Sequence, residues 1–355
     1  MNPLLADLAP PLQALLRPAD PGGWMPPMLA TLSEALPAGA RWLFEPKLDG
    51  VRCLAHVGAA GVTLRSRNRN DITGGYPEVA SALARQVKAD AVLDGELVVL
   101  RGGRTSFEAI QERLHVRAPS VELVRRVPVL YYVFDLLQLD GTDLRALPLL
   151  VRKALLRVAV RYRRPLRFTA HRLRGAQAVL EAACGRGEEG IIAKVATGRY
   201  LPRRSPEWLK VKCVRSEEFV IGGFTPPSGS REALGALLVG QYQEGVLRYA
   251  GKVGTGFDVP TLRGLLARLE ALETPRAPFT PAPPEPGVRW VRPRLVAQVG
   301  YGERTTRGIL RHPRFLGLRC DKPARSVVPE VPLAPAGALR PPGRGRWRSR
   351  ARARR

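Results

Sequence analysis

Lysine is scarce in this chain of 355 residues: eight Lys stand against 49 Arg. Cysteine is scarce too. Cys53, Cys184, Cys213 and Cys320 are far apart and form no CxxC pair, which argues against a disulfide framework and a cysteine zinc site. His56, His115, His171 and His312 have no metal-ligand spacing. Long apolar runs are missing; the longest, 127–134, falls far short of the roughly 18 residues a spanning helix needs and reads as a buried strand. The opening MNPLLADLAPPLQ has no basic segment ahead of its leucines, so no secretory signal and no membrane association are expected. A soluble intracellular protein is the expectation.

Acidic residues are outnumbered, 31 against 57 basic, for a formal charge of +26. The excess runs through the whole chain and peaks in 340–355, which carries eight Arg and no acid. A basic surface of this extent points to a polyanionic partner, nucleic acid first, although an Arg-rich composition alone would give the same charge. The Lys scarcity is more specific. Where a positive charge suffices the chain uses Arg, so Lys47, Lys88, Lys153, Lys194, Lys210, Lys212, Lys252 and Lys322 are candidates for positions where Arg cannot serve. Arg stays protonated, whereas Lys can lose its proton and attack an electrophile.

The composition, 45% hydrophobic and 25% charged, is globular. The Pro-rich stretch 1–22 reads as an extended surface arm. Residues 23–215 read as one mixed α/β unit. RWLFEPK and VRCLAHV alternate as strands around an LDG turn; 77–88 and 147–160 show helical periodicity; SFEAIQERL reads as a short helix capped by Ser106; AVLDGELVVL, VPVLYYVFDLLQL, GIIAKV and WLKVKC read as strands. Residues 216–333 read as a small antiparallel barrel with one helix at 259–272. Residues 334–355, rich in Pro, Gly and Arg, read as a basic disordered tail. The expected class is therefore α+β, a mixed α/β domain followed by a β-barrel.

The segment Glu45-Pro46-Lys47-Leu48-Asp49-Gly50-Val51-Arg52 carries the chemistry. A rare Lys ends a strand, an Asp-Gly turn follows, and an Arg lies on the next strand. Composition alone predicts K-x-D-G-x-R roughly 0.003 times in such a chain. An unperturbed Lys, with a pKa of about 10.4, is a poor nucleophile at neutral pH. Burial or the cations Arg52, Arg67, Lys210 and Lys212 would depress that value and free the amine. A solvated Lys-Asp pair on a surface hairpin is the plainer alternative. Lys210 and Lys212 alternate with Val211, so on a strand both amines share a face. Glu96 and Glu189 are carboxylates in apolar strand contexts. Gly251, Gly254 and Gly256 resemble a phosphate loop but lack its strand-to-helix setting, and barrel turns account for them better.

KLDGVR resembles motif I of the covalent nucleotidyltransferases, which include ATP-dependent DNA ligases, RNA ligases and capping enzymes. Further segments follow in family order: SRN at 66–68, LDGEL (93–97), VFDLL (133–137), EEGIIAK (188–194), WLKVKC (208–213) and LGLRCDKPAR (316–325). The strings EPKLDGVR, RRSPEWLKVK, RYAGKVGTGF and HPRFLGLRCDKPAR are most similar to the ligase domain of bacterial ligase D, and the likeness covers about 22–330.

The resemblance implies an adenylation domain followed by an OB-fold, with ATP as substrate and Mg²⁺ or Mn²⁺ as cofactor. It implies Lys47 as the residue that takes AMP, with Glu45 at the adenine edge, Phe134 stacked on adenine, Arg52 at the ribose or nick phosphate, and Arg67 on a phosphate. Lys210 and Lys212 would stabilise the transferring phosphate, Lys194 would face the nucleotide, and Glu96 and Glu189 would lie at the ribose and the metal. Arg319, Asp321 and Lys322 would close over ATP and orient pyrophosphate, with a hinge near 214–217. The implied substrate is nicked or broken duplex DNA, handled by a monomer in the bacterial cytoplasm beside a Ku-type end binder and a separate polymerase or nuclease. An RNA ligase or capping-type guanylyltransferase shares motif I, and a basic DNA-binding protein with an inactive ligase fold would share the charge.

Overall fold

A computed structural model describes residues 2–20, 24–227 and 234–330. The expected tail 334–355 lies outside the described residues. No helix among those described is long and apolar enough to cross a membrane.

The first body is built on two sheets. The larger has eight strands. Its path runs from Arg17–Pro18 through Thr142–Asp143, Val129–Leu139, Ala91–Arg101 and Val51–Gly58 to Gly61–Ser66. Alternation decides the faces. On Val51–Gly58, Val51, Cys53 and Ala55 enter the core with Val79, Leu83 and Leu156 from the helices Pro77–Gln86 and Leu149–Ala159. Leu54 points the other way, into a smaller cluster with Phe134, Met28, Tyr200 and Trp208. The second sheet orders Leu29–Leu32, Arg204–Lys212, Gly190–Val195 and Trp42–Pro46, and packs Ile191, Ala193, Leu209 and Val211 under the helix Ala176–Gly185. The cleft between the two sheets is where the chain's polar residues collect.

From Ser216 the chain forms a six-stranded antiparallel sheet. It runs from Val246–Val253 through Leu237–Gln243, Ser216–Phe224 and Val296–Gly300 to Arg314–Arg319, with Arg289–Trp290 also paired to Ser216–Phe224. The helix Val259–Glu270 is capped by Asp258, whose carboxylate accepts from the Thr261 N–H.

Two expectations need correction. Residues 2–20 are not an extended surface arm, and the rest of the expected 1–22 arm lies outside the described residues. Pro3 and Pro10 open short helices, Pro3–Ala6 and Pro10–Gln13, as Pro at the first helical position favours. Leu5 is fully buried, Leu4, Leu8, Leu12, Leu15 and Leu16 pack against the main core, and Arg17–Pro18 joins the sheet edge. The prolines start structure here and the leucines anchor it. Second, Cys184 and Cys213 form a disulfide, with Cα atoms 5.2 Å apart. Sequence distance hid this because the helix Ala176–Gly185 lies across the sheet and brings its last turn to the end of the strand Arg204–Lys212.

Candidate active site

One cavity of about 370 Å³ lies between the two sheets and the Arg314–Arg319 strand, within the usual size for a small-molecule site. It brings together Glu45, Lys47, Arg52, Arg67, Glu96, Phe134, Glu189, Lys194, Lys210, Lys212, Arg319, Asp321 and Lys322.

Lys47 follows the strand Trp42–Pro46, and its N–H donates to Gly190 O at 2.8 Å. That bond places it beside Glu189, and the two side chains form an ion pair. The hairpin behind it is close-packed. A Cβ on Gly50 would sit 2.1 Å from Leu97 O, so only glycine lets the turn reach the Ala91–Arg101 strand. Asp49 secures the turn: its N–H donates to Thr105 Oγ1 and its carboxylate accepts from the Phe107 N–H, both at 3.0 Å.

The electrostatics around Lys47 reverse the expectation from sequence. Burial alone would lower its pKa, but Glu189, Asp49 and Glu96 outweigh burial and raise it. The anticipated crowding by Arg52, Arg67, Lys210 and Lys212 does not prevail, because the nearest partner is a carboxylate. Glu96 differs from Glu189. No side chain hydrogen-bonds its carboxylate among the described residues, and burial pushes its pKa up to about 8 although Arg52 and Lys47 oppose the shift. No cluster of three or more His, Cys, Asp or Glu suited to a metal ion occurs among the described residues.

The apolar end of the cavity is lined by Phe134 and Trp208, edge to face at 6.1 Å. Glu45 is buried between two lysines: Lys153 Nζ donates to its Oε1 at 2.5 Å, and Lys194 Nζ lies 2.6 Å from Oε2. The second contact is an ion pair too bent for a hydrogen bond. Burial would raise the Glu45 pKa, but the two ammonium groups lower it. Lys194 also sits 4.2 Å from the Phe134 ring centre and 4.0 Å from that of Trp208, a cation–π arrangement. Arg52 grips buried Asp94 with two bonds, at 2.5 and 2.6 Å, and lies 4.7 Å over Phe134. Tyr200 Oη donates to the same Asp94 at 2.7 Å.

The opposite end is cationic. Lys210 and Lys212 point to one side of their strand, while Leu209 and Val211 face the core. Lys212 Nζ donates to Ser216 O at 2.5 Å. Burial, with Lys212 and Lys47 nearby, lowers Lys210 to about 8. Glu330 pairs with Lys210 and lies 3.9 Å from Lys212; burial opposes, but these lysines hold its carboxyl at about 2. Arg319 and Asp321 form a two-bond pair at 2.8 and 2.9 Å, and Lys322 pairs with Glu218. Arg67 stays exposed at the mouth.

The chain thus offers a flat apolar slot with a buried carboxylate at one end, and a primary amine together with a cluster of cations at the other. That is the shape and charge order of a nucleoside triphosphate. The family described as "ATP dependent DNA ligase domain" matches residues 27–212, and "ATP dependent DNA ligase C terminal region" matches 230–322. The chain belongs to the ATP-dependent DNA ligases. It is 42% identical over 331 residues to "Multifunctional non-homologous end joining protein LigD" of Pseudomonas aeruginosa, a match covering 91% of this chain and 38% of that protein. It is 30% identical over 330 residues to "DNA ligase C2" of Mycolicibacterium smegmatis, covering 85% and 92%. The solved structure "mycobacterial DNA ligase D complexed with ATP and MES" superimposes with a TM-score of 0.63 at 36% identity, covering 86% of this chain and 98% of that one. This ligase therefore spans about two-fifths of the end-joining relatives it matches and nearly all of the shorter one.

Several cavity residues were not singled out from the sequence. Trp208 precedes Lys210 and Lys212 by the same two-residue step, so the strand pattern already carried it. Lys153, buried behind Glu45 and outside the cavity lining, stands out in the sequence only as one of the scarce lysines. Glu330 gave no signal, because its approach to Lys210 spans 120 residues.

Proposed function

We propose that this ligase joins 3′-hydroxyl and 5′-phosphate ends of duplex DNA in three steps. Lys47 Nζ attacks the α-phosphorus of ATP, the bond to the β-phosphate oxygen breaks, and pyrophosphate leaves; Lys47 is then a phosphoramidate of AMP. The AMP passes to the 5′-phosphate of the break and frees Lys47. The 3′-hydroxyl displaces AMP from that phosphate and closes the strand. The observation that carries this reading is that Lys47 lines one cavity with the Phe134–Glu45 slot and with Lys210 and Lys212, level with Lys212 across the strands. Phe134 and Trp208 hold the base, Glu45 reads its edge, Arg52 reaches the ribose or the break phosphate, and Lys210 and Lys212 meet charge on the transferring phosphate. Arg67 contacts phosphate, Lys194 keeps Glu45 oriented, and Arg319, Asp321 and Lys322 close over the triphosphate.

Glu96 and Glu189 are the residues that would hold a divalent cation, Mg²⁺ or Mn²⁺. They fit one: Glu96 is a partly buried carboxyl whose oxygens accept no hydrogen bond among the described residues, and Mg²⁺ takes one or two carboxylates plus substrate phosphates rather than an all-protein cage. When bound, such an ion supplies neutralising charge to the triphosphate.

The working division is adenylation domain 23–215, OB-fold domain 216–333 and basic tail 334–355, in a monomer. The tail, with its eight arginines in 340–355, adds phosphate contacts that weaken with salt. Repair by end joining, beside a Ku-type end binder and a separate polymerase or nuclease, is the role that the likeness to the end-joining relatives supports. Incubation with α-labelled ATP and a divalent cation, followed by peptide mapping, tests the core of this reading. Label on Lys47 and loss of nick sealing in Lys47→Ala are expected; sealing by Lys47→Ala overturns it.

A further inference from the structure

Four contacts converge on a stretch of four residues at the cavity mouth. Gln111 Nε2 donates to Leu318 O. The Arg319 guanidinium lies 3.8 Å from the ring centre of Phe107. His115 Nε2 donates to Cys320 O at 3.0 Å. Asn68 Nδ2 donates to Asp321 O at 3.3 Å. Three of these four groups come from 107–115, the short helical segment Phe107–Ile110 with the turn Gln111–Arg113 and the residues after it. Phe107, Gln111, His115 and Asn68 are absent from the Lys47 pair and the Phe134 slot, and all three side-chain hydrogen bonds, from Gln111, His115 and Asn68, go to main-chain oxygens at and just past the end of the Arg314–Arg319 strand.

We infer that Phe107, Gln111 and His115 are positioning residues, a latch that holds 318–321 over the nucleotide during self-adenylation and has no part in strand closure. The inference rests on the proposed closing role of Arg319, Asp321 and Lys322 and adds what secures it. The latch is also wired to the nucleophile. The Phe107 N–H is bonded to Asp49, two residues from Lys47, so one short helix touches the attacking hairpin with its backbone and Arg319 with its ring. His115 holds φ at +64°, an uncommon conformation for a non-glycine residue, and in it the ring reaches across to the Cys320 carbonyl. Main-chain acceptors suit a latch, since they fix where the segment lies without engaging the side chains that the triphosphate needs.

A duplex cannot reach Lys47 while 318–321 covers the mouth, so the latch must open before the later steps. Its loss therefore separates the steps of the reaction. The test compares Gln111→Ala, Gln111→Ala/His115→Ala, and Gln111→Glu, which keeps the shape but removes the donor, with the parent and with Arg319→Ala. Single-turnover formation of the Lys47 adduct from ATP is read beside strand closure on a nick that already carries AMP. For two lost hydrogen bonds the adduct should form roughly tenfold more slowly, with Gln111→Glu no better than Ala at that position, while closure on the adenylated nick stays at the parental rate. If both reactions slow together, the role is structural and the latch is overturned. If Arg319→Ala slows adduct formation but the latch variants do not, the latch is refuted and the closing role stands. If Arg319→Ala has no effect either, the closing role fails and takes the latch with it.

Discussion

Glu330 rests its carboxylate on Lys210 inside the cavity. It is also within 3.9 Å of Lys212, so one side chain of the protein occupies the cation pair proposed to meet the transferring phosphate. A partly buried pair of this kind is worth on the order of 1 kcal/mol, about fivefold in affinity. Glu330→Gln should lower the KM for ATP in self-adenylation by about that factor with kcat little changed. A raised KM would show that Glu330 assists the nucleotide instead of competing with it.

Glu96 makes stability depend on pH. Its folded pKa, about 8, lies above the ordinary carboxylate value because burial disfavours the charge. The stabilisation this confers is complete below the unfolded pKa near 4.5 and is lost as pH rises through 8. Glu96→Gln should therefore melt higher than the parent at pH 8.5 without nucleotide or metal, by about 2–4 °C, and the gap should close toward pH 4.5. A constant difference across that range would refute the assignment.

Lys153 is the buried support of Glu45, in the slot proposed to hold the base. Besides Glu45 it donates to Thr169 O at 3.0 Å. Lys153→Met leaves Glu45 with Lys194 alone and removes one ammonium from a buried cluster, a change of about 3–5 kcal/mol in stability. Chemical denaturation reads that loss, and competition between ATP and GTP in adduct formation should show weaker preference for ATP. Unchanged stability together with unchanged preference would remove Lys153 from this role.

The thiols can be counted. Cys53 and Cys320 are free, and Cys184 and Cys213 are joined. Unfolded but unreduced protein should give two reactive thiols, and reduced protein four. Four without reductant would mean the pair is open in solution.

Much of the site was legible because strand periodicity is local. Lys210 and Lys212 share a face for the same reason that Leu209 and Val211 share the other, and KLDGVR marks a hairpin whose Gly50 the backbone requires. The alternation in VRCLAHV likewise assigned Val51, Cys53 and Ala55 to one face, where the core cluster holds them. What stayed hidden depends on contacts between distant segments. The charge state of Lys47 is set by Glu189, 142 residues away, and reading the basic neighbours from composition gave the wrong sign. Cys184 and Cys213 meet only because a helix crosses a sheet. The leading prolines suggested an extended arm, yet they sit where helices begin, and six leucines draw the segment inward.

The Arg314–Arg319 strand ends at the rim of the cavity in which the proposed reaction takes up its triphosphate, and under that reading the ligase has the logic of a turnstile. Loading and delivery share one doorway, so they must alternate. If the protein closed on fresh ATP before its last delivery was finished, it would abandon a half-repaired end, and a plentiful fuel supply would then work against completion.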